Sequence, residues 1–232
     1  MSNADGVYKM RPIAFIHTDF PTKFGIPRQG GLIEALHATI VFEPEFRNPD
    51  ALRGIEEFSH LWLIWQFSDA LRDSWSPTVR PPRLGGNVKK GVFATRSPFR
   101  PNPIGLSVVK FDGMEQTSQG TILHISGADL MDGTPIYDIK PYLPHIDAIP
   151  NASGGFAKEV SNYALQVDFP DILLHILPEE KREAAIAVLE QDPRPSYQHD
   201  PGRIYGFSFA GFEIKFKVNE NLLTVCSVES IK

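Results

Sequence analysis

Within the seven residues Arg96–Asn102, RSPFRPN, the chain sets two arginines, an aromatic ring and an amide on a stiff backbone. Pro98, Pro101 and Pro103 fix φ and remove three backbone donors, so this stretch is neither a helix nor an inner strand. A loop stiffened in this way loses little entropy when it engages a ligand. The planar forks of Arg96 and Arg100 suit a carboxylate or a phosphate. Phe99 can stack on a base, and Asn102 can both donate and accept, as reading a base edge requires. The plain alternative is a rigid connector whose arginines pair with local carboxylates. So many binding groups on so few residues favour a ligand.

The surrounding charge points the same way. The chain carries a net charge of −5, yet between Ser74 and Phe111 there are seven basic residues and no acid. An acidic protein with one acid-free basic stretch has a polarised surface, and such a stretch suits phosphates. Two further segments offer related chemistry. Gly25–Gly31, GIPRQGG, places Arg28 and Gln29 in a Gly/Pro-rich loop. Asp129–Tyr142, DLMDGTPIYDIKPY, turns at Asp132-Gly133 and then alternates Asp138, Lys140 and Tyr142 along one strand face. A loop carboxylate such as Asp132 suits a ribose diol or an amino group. His145 lies close to Asp138 and Asp147 in sequence and is a further acid–base candidate. His60 falls inside an apolar run, where a hydrogen-bonded core histidine is expected.

Several chemistries are excluded. The sequence has no G-x-G-x-x-G after a strand, no phosphate loop of the G-x-x-x-x-G-K-[ST] form and no H-E-x-x-H. The single cysteine, Cys226, rules out an intrachain disulfide or a Cys-based zinc site and fits a reducing compartment. No apolar run approaches the roughly 20 residues needed to span a bilayer. The N-terminus lacks the basic-then-apolar form of a signal peptide. The expectation is a cytoplasmic chain without a membrane partner.

The elements that must hold these loops are mostly strands. Ile13–His17, Ala38–Phe42, Val92–Thr95, Leu106–Phe111, Ile122–Ser126 and Ile136–Ile139 are short β-branched or aromatic runs. Phe58–Phe67, FSHLWLIWQF, is almost continuously apolar and predicts a strand buried on both faces. Many short strands separated by turns predict a barrel or a strongly curved sheet. After the linker-like Asn151–Gly155 the character changes. A strand at Ala164–Phe169, a helix at Pro178–Gln191 with Pro178 at its first position, and strands at Tyr205–Phe209, Phe212–Val218 and Leu222–Val228 predict a small α+β unit. The expected fold is therefore mainly β, with a first domain over 5–150 and a second over 151–232.

Taken together, PRQ at Pro27–Gln29, FSHLW at Phe58–Trp62, RPPRLGGN at Arg80–Asn87, GVFATRSPFRPNPIGLS at Gly91–Ser107, DGTPIYDIKPYLP at Asp132–Pro144 and DPRPSY at Asp192–Tyr197 resemble the TrmO (TsaA-like or YaeB-like) family. The resemblance runs over nearly the whole chain. It implies a non-Rossmann β-barrel methyltransferase domain with a small C-terminal domain, S-adenosylmethionine as methyl donor, and tRNA as substrate. The implied reaction methylates N6 of threonylcarbamoyl-adenosine beside the anticodon. The implied assembly is a homodimer with the cofactor site near the interface. Carried onto this sequence, the cofactor contacts are Pro27, Arg28, Gln29, Arg96, Leu106, Leu130, Met131, Asp132 and Gly133. Arg100, Asn102, Arg194 and Tyr197 are expected to hold tRNA, with Arg203 and Tyr205 beside them. The family often carries a histidine where this chain has Ser68-Asp69.

The acceptor nitrogen needs a base, and Asp138, His145 and a carboxylate of the substrate are the candidates. Competing readings are a non-catalytic RNA-binding module and a methyltransferase of the same fold with another substrate. Deletion of Asp192–Lys232 is expected to abolish tRNA methylation and spare cofactor binding.

Overall fold

The computed structural model describes residues 8–72, 74–81, 88–118, 120–156, 164–194 and 200–231. Tyr197, and most of the Arg80–Asn87 segment, lie outside the described residues.

Alternation of apolar and polar residues dictates the first layer. Ala14–His17 (β1), His37–Phe42 (β2) and His60–Gln66 (β3) each bury every second side chain. Thr78–Val79 (β4) and Lys90–Gly91 (β5) pair as a small separate ribbon. Ile104–Thr117 (β6), Gly120–Ser126 (β7) and Thr134–Pro141 (β8) follow. Pairing runs β1-β2-β7-β6-β3-β8, and β8 returns to β1, so six antiparallel strands close into a barrel. Closure leaves the sheet no free edge. Ile16, Ile40, Leu61, Leu63, Val109, Leu123, Ile125 and Ile136 fill the interior. Gly105 sits on β6 opposite Trp65, and a Cβ there would fall inside the indole ring.

The mainly β expectation holds, with two corrections to the strands. β3 is not buried on both faces. Leu61, Leu63 and Trp65 point inward, while Trp62, Ile64 and Gln66 face out and are only half-buried. A barrel wall is a single layer, so apolar residues on its outer side are covered only where another segment crosses them, as Tyr142 does at Trp62. Val92–Thr95 is not a strand either: Val92–Ala94 forms a 3-10 turn. Val92 alone is buried there, its amide donates to the Pro77 carbonyl (2.9 Å), and among the described residues no strand pairs with it.

The C-terminal part orders its strands β10-β11-β12-β9, comprising Gln166–Asp168 (β9), Tyr205–Phe209 (β10), Phe212–Asn219 (β11) and Leu222–Ser230 (β12). A short helix, Pro144–Asp147 (α1), follows the barrel, and Asp171–Leu174 (α2) and Glu179–Glu190 (α3) belong to the C-terminal part. Pro178 is the N-cap of α3 rather than its first helical residue, and Glu179 and Glu180 sit in its first turn, where acids favour the helix dipole. Ala184, Ala185, Val188 and Leu189 pack against Phe207, Phe209, Ile214 and Phe216. This second core also takes in Phe20, Ile33 and Leu36 from the long β1–β2 connection. The loop that carries Pro27–Gln29 is thereby built on the C-terminal core.

Candidate functional site

The predicted segments meet around one carboxylate. Asp129 closes the approach to the Leu130–Gly133 turn, and its Oδ1 accepts a hydrogen bond from Ser107 Oγ (2.6 Å). Ser107 Oγ in turn accepts from Trp65 Nε1 (3.0 Å). The Gly30 amide also donates to the Asp129 carboxylate. A Cβ at Gly30 would lie 2.9 Å from the Val108 carbonyl oxygen and 3.3 Å from Asp129 Oδ1, so only glycine lets the loop approach this closely. Burial pushes the Asp129 pKa up, and the Ser107 hydroxyl, backbone amides and the Arg96 charge hold back part of that rise.

Arg96 reaches Gln29 across the same junction, its Nη1 donating to Oε1 of that amide. Gln29 Nε2 donates to the Arg28 carbonyl (2.6 Å). Two residues that the resemblance assigns to the cofactor are thus in contact although 67 positions apart. The Asp132 turn is stapled to the end of β1. Asp132 Oδ1 accepts from the Thr18 amide (3.1 Å) and lies 3.3 Å from His17 Nδ1. Thr18 Oγ1 donates to the Leu130 carbonyl (3.1 Å), and Thr134 Oγ1 to the Met131 carbonyl (2.7 Å). Gly133 takes φ 72°. Leu130 packs its side chain into the barrel core.

Leu106 stands apart from this junction. Its neighbour Ser107 points in to Trp65 and Asp129, so Leu106 points out, 54% exposed. On the outer wall it lies opposite Ile64, which lies opposite Asp138, so the three form one cross-strand row. Asp138 pairs with Lys140 at 2.8 Å and accepts from the Ile139 amide (3.0 Å). His145 is exposed on α1, and among the described residues no hydrogen bond joins it to Asp138. The carboxylate that α1 does engage is Asp147. It accepts from the Leu143 amide (2.8 Å) and from Trp62 Nε1 (3.0 Å), and these bonds hold its pKa below the usual carboxylate range. Ser68 and Asp69 are exposed in a 3-10 turn after β3.

The residues expected to hold tRNA divide. Arg100 is half-buried, and its Nη1 donates to the carbonyls of Thr95 (3.3 Å) and Ser97 (3.5 Å), bracing the loop. Asn102 is exposed. Phe99 has one ring face covered by the Arg72 guanidinium at 3.7 Å. Arg194 is placed differently from an exposed phosphate contact. Its side chain is 6% exposed and forms a bidentate pair with Asp192 (2.8 and 2.9 Å), so the guanidinium is turned inward and not toward a polyanion. Asp192 itself takes φ 50° at this turn. Tyr205 is likewise buried. Arg28 reaches the Asp192 carbonyl (3.5 Å), which ties the PRQ loop to this turn.

With this geometry the chain can be compared with known proteins. The model of the tRNA-methyltransferase O N-terminal domain matches residues 15–148, and that of the TrmO C-terminal domain matches residues 162–231. The chain belongs to the TrmO family. A tRNA (adenine(37)-N6)-methyltransferase of Escherichia coli (strain K12) is 38% identical over 230 residues, covering 96% of this chain and 98% of that protein. A putative S-adenosylmethionine-dependent methyltransferase of Pseudomonas aeruginosa is 42% identical, covering 86% of this chain and 87% of its own. A crystal structure of TrmO from P. aeruginosa superposes with a TM-score of 0.79 at 35% identity, covering 97% of both chains.

Sequence reading missed Asp129, Ser107, Trp65 and Gly30 as one partly buried cluster. Three of them lie at or next to the end of a segment already singled out. Inward alternation on β3 and β6 is a signal for Trp65 and Ser107, while Gly30 and Asp129 lie in loops that no periodicity marks.

Proposed function

We propose that the chain is an S-adenosylmethionine-dependent tRNA methyltransferase acting on N6 of threonylcarbamoyl-adenosine beside the anticodon. Its barrel domain (5–150) carries the chemistry and its small α+β domain (151–232) supports it; the compartment is the cytoplasm. The observation that carries this reading is the contact of Arg96 with Gln29 beside the desolvated Asp129. It occurs in a chain whose near-full-length relative is a tRNA adenine-N6 methyltransferase. No helix among the described residues is long and apolar enough to cross a membrane.

The donor set fits the cofactor. A guanidinium fork and a side-chain amide suit its carboxylate, and the Asp132 carboxylate suits its amino group or its ribose hydroxyls. When bound, S-adenosylmethionine supplies an electrophilic methyl group on a sulfonium. Pro27–Gln29, Arg96 and the Leu130–Gly133 turn would hold and orient it, with Leu106 meeting it from the outer wall, and alignment carries much of the barrier reduction in an in-line displacement. The acceptor nitrogen is conjugated into a urea-like group and reacts as its proton leaves, so a base must take that proton. Asp138, His145 and the substrate's own carboxylate are the candidates. Asp138 shares the outer row with Leu106, which favours it over His145. Asn102 is open to the tRNA, whereas Arg100 acts by bracing its loop.

The same outer wall supports a homodimer with the cofactor site near the interface. Ile104 and Leu106 leave an uncovered apolar strip beside Ile64, of the kind a partner protects. The test is incubation of the purified protein with labelled methyl donor and bulk tRNA. Incorporation is expected only when the threonylcarbamoyl group is present. Equal labelling of unmodified tRNA would overturn the substrate assignment, and no labelling of either would overturn the activity.

A further inference from the structure

We propose that Trp75 and Phe93 form a base-stacking platform that seats single-stranded nucleotides of the anticodon loop next to the methyl-donor site. The inference rests on the tRNA reading above and assigns that substrate a surface. Phe93 is 73% exposed and Trp75 51% exposed, yet their rings pack against each other, with centroids 6.1 Å apart and planes 36° apart. Isolated exposed aromatics are ordinary, but a paired and outward-facing set is held out for something.

The holding is local and rigid. Val79 pairs with Lys90 in the β4–β5 ribbon, buried Val92 ties back to Pro77, and the Thr95 amide closes the 3-10 turn on the Val92 carbonyl (3.1 Å). Phe93 sits in that turn, so it cannot fold into the core without breaking the turn.

The surroundings choose the partner. Arg80 and Lys89 are exposed immediately beside that ribbon, and Lys90 lies 5.4 Å from the Phe156 ring. No acid occurs between Ser74 and Phe111. Protein interfaces are depleted in lysine, whereas aromatic faces interleaved with cations are how proteins hold unstacked bases and their phosphates. Nucleotides of an RNA loop present such bases, and stacking tolerates any sequence. The platform is also next to the reaction. One residue of chain separates the Val92–Ala94 turn from Arg96, which contacts Gln29.

The experiment compares wild type with Trp75→Leu/Phe93→Leu, which keeps apolar bulk and removes both π faces at exposed positions. The probe is a fluorescein-labelled RNA hairpin carrying an anticodon loop, read by anisotropy. Cofactor affinity is read by calorimetry with S-adenosylhomocysteine, and mass by light scattering. RNA affinity is expected to fall about tenfold or more, with cofactor affinity and mass unchanged. Phe93→Tyr/Trp75→Phe, which retains both rings, is expected to restore binding. Lys89→Ala should flatten the dependence of log K on log salt by about 0.7, the value for one contact to single-stranded phosphate. Unchanged RNA affinity in the double leucine variant would overturn the platform and leave the methyltransferase reading standing. So would a loss that tracks a halved mass, which would make the rings a subunit contact, or one that tracks lost cofactor affinity. Wild-type protein that binds no RNA would overturn both.

Discussion

Asp129 is the residue on which the predicted cofactor segments converge, and its chemistry sets a trade between stability and function. Its carboxylate accepts from Ser107 and Gly30 and feels the Arg96 charge, but burial dominates and raises its pKa. For an acid, a raised folded pKa means that the folded state prefers the proton. Stability therefore declines as pH rises from the ordinary carboxylate value of about 3.9 through the folded value, and the cost persists at neutral pH. Asp129→Asn removes the charge and keeps an acceptor for Ser107. Its melting temperature at pH 7 is expected to equal or exceed that of wild type, and the decline above pH 4 should vanish. Cofactor affinity should nevertheless drop, as it should in Arg96→Ala, because the arginine loses the anion beside it. Calorimetry and thermal melts across pH decide the matter. A variant that melts lower and binds the cofactor normally would make Asp129 a stability residue only.

At the scale of elements, α1 shows how a single turn is fixed to the barrel. Asp147 accepts from the Leu143 amide and from Trp62 Nε1 on the outer wall of β3, and its pKa is lowered mainly by the Leu143 bond. A lowered acid stabilises the fold above its unfolded pKa and loses that contribution as pH falls through the folded value. The Trp62 indole N–H resonance is expected to stay at its hydrogen-bonded shift on acidification past pH of about 3.9, the ordinary carboxylate value, and to move only below it. Asp147→Asn should remove the transition. A wild-type shift centred at the ordinary value would mean that the turn is not held this way. Elements like this one mark the limit of sequence reading. The helix at 179–190 and strands such as Tyr205–Phe209 were legible because period and punctuation are local properties. The face of β3 was not: FSHLWLIWQF is apolar on both sides, and only barrel closure decides that Trp62 and Ile64 are the outer ones. The Val92–Ala94 turn was missed because a β-branched run predicts a strand only where a neighbour can pair with it. The site was legible as three segments, while the Trp65–Ser107–Asp129 chain that unites them depends on register.

At the scale of the whole molecule, the two cores divide the labour differently from the two stretches of sequence. Phe20, Ile33 and Leu36 belong to the first stretch in sequence and to the second core in space. Around them, Lys181 pairs with Asp19 at 2.6 Å, the Ala210 amide donates to the Asp19 carbonyl (2.9 Å), and Arg28 reaches the Asp192 carbonyl. The β1–β2 connection is thus clamped at Asp19 by Lys181 of α3 and Ala210 in the turn after β10, and at Arg28 by the Asp192–Arg194 turn. This changes the expectation for truncation. Sequence alone predicts that loss of Asp192–Lys232 spares the cofactor site and removes only a tRNA platform. The structure predicts that the same deletion strips β10, β11 and β12 from the core that holds the PRQ loop, exposing Phe20, Ile33 and Leu36 to water. Calorimetry should find cofactor affinity lowered along with tRNA affinity, and amide exchange should quicken over residues 18–36. Arg194→Met removes the buried pair without removing the core, leaving Asp192 as an unpaired buried charge. It should reproduce part of the cofactor defect, because the displaced turn carries the carbonyl that Arg28 uses. A truncated chain that binds the cofactor as tightly as the whole would mean that the barrel holds its own loop, and that the C-terminal core serves the RNA alone.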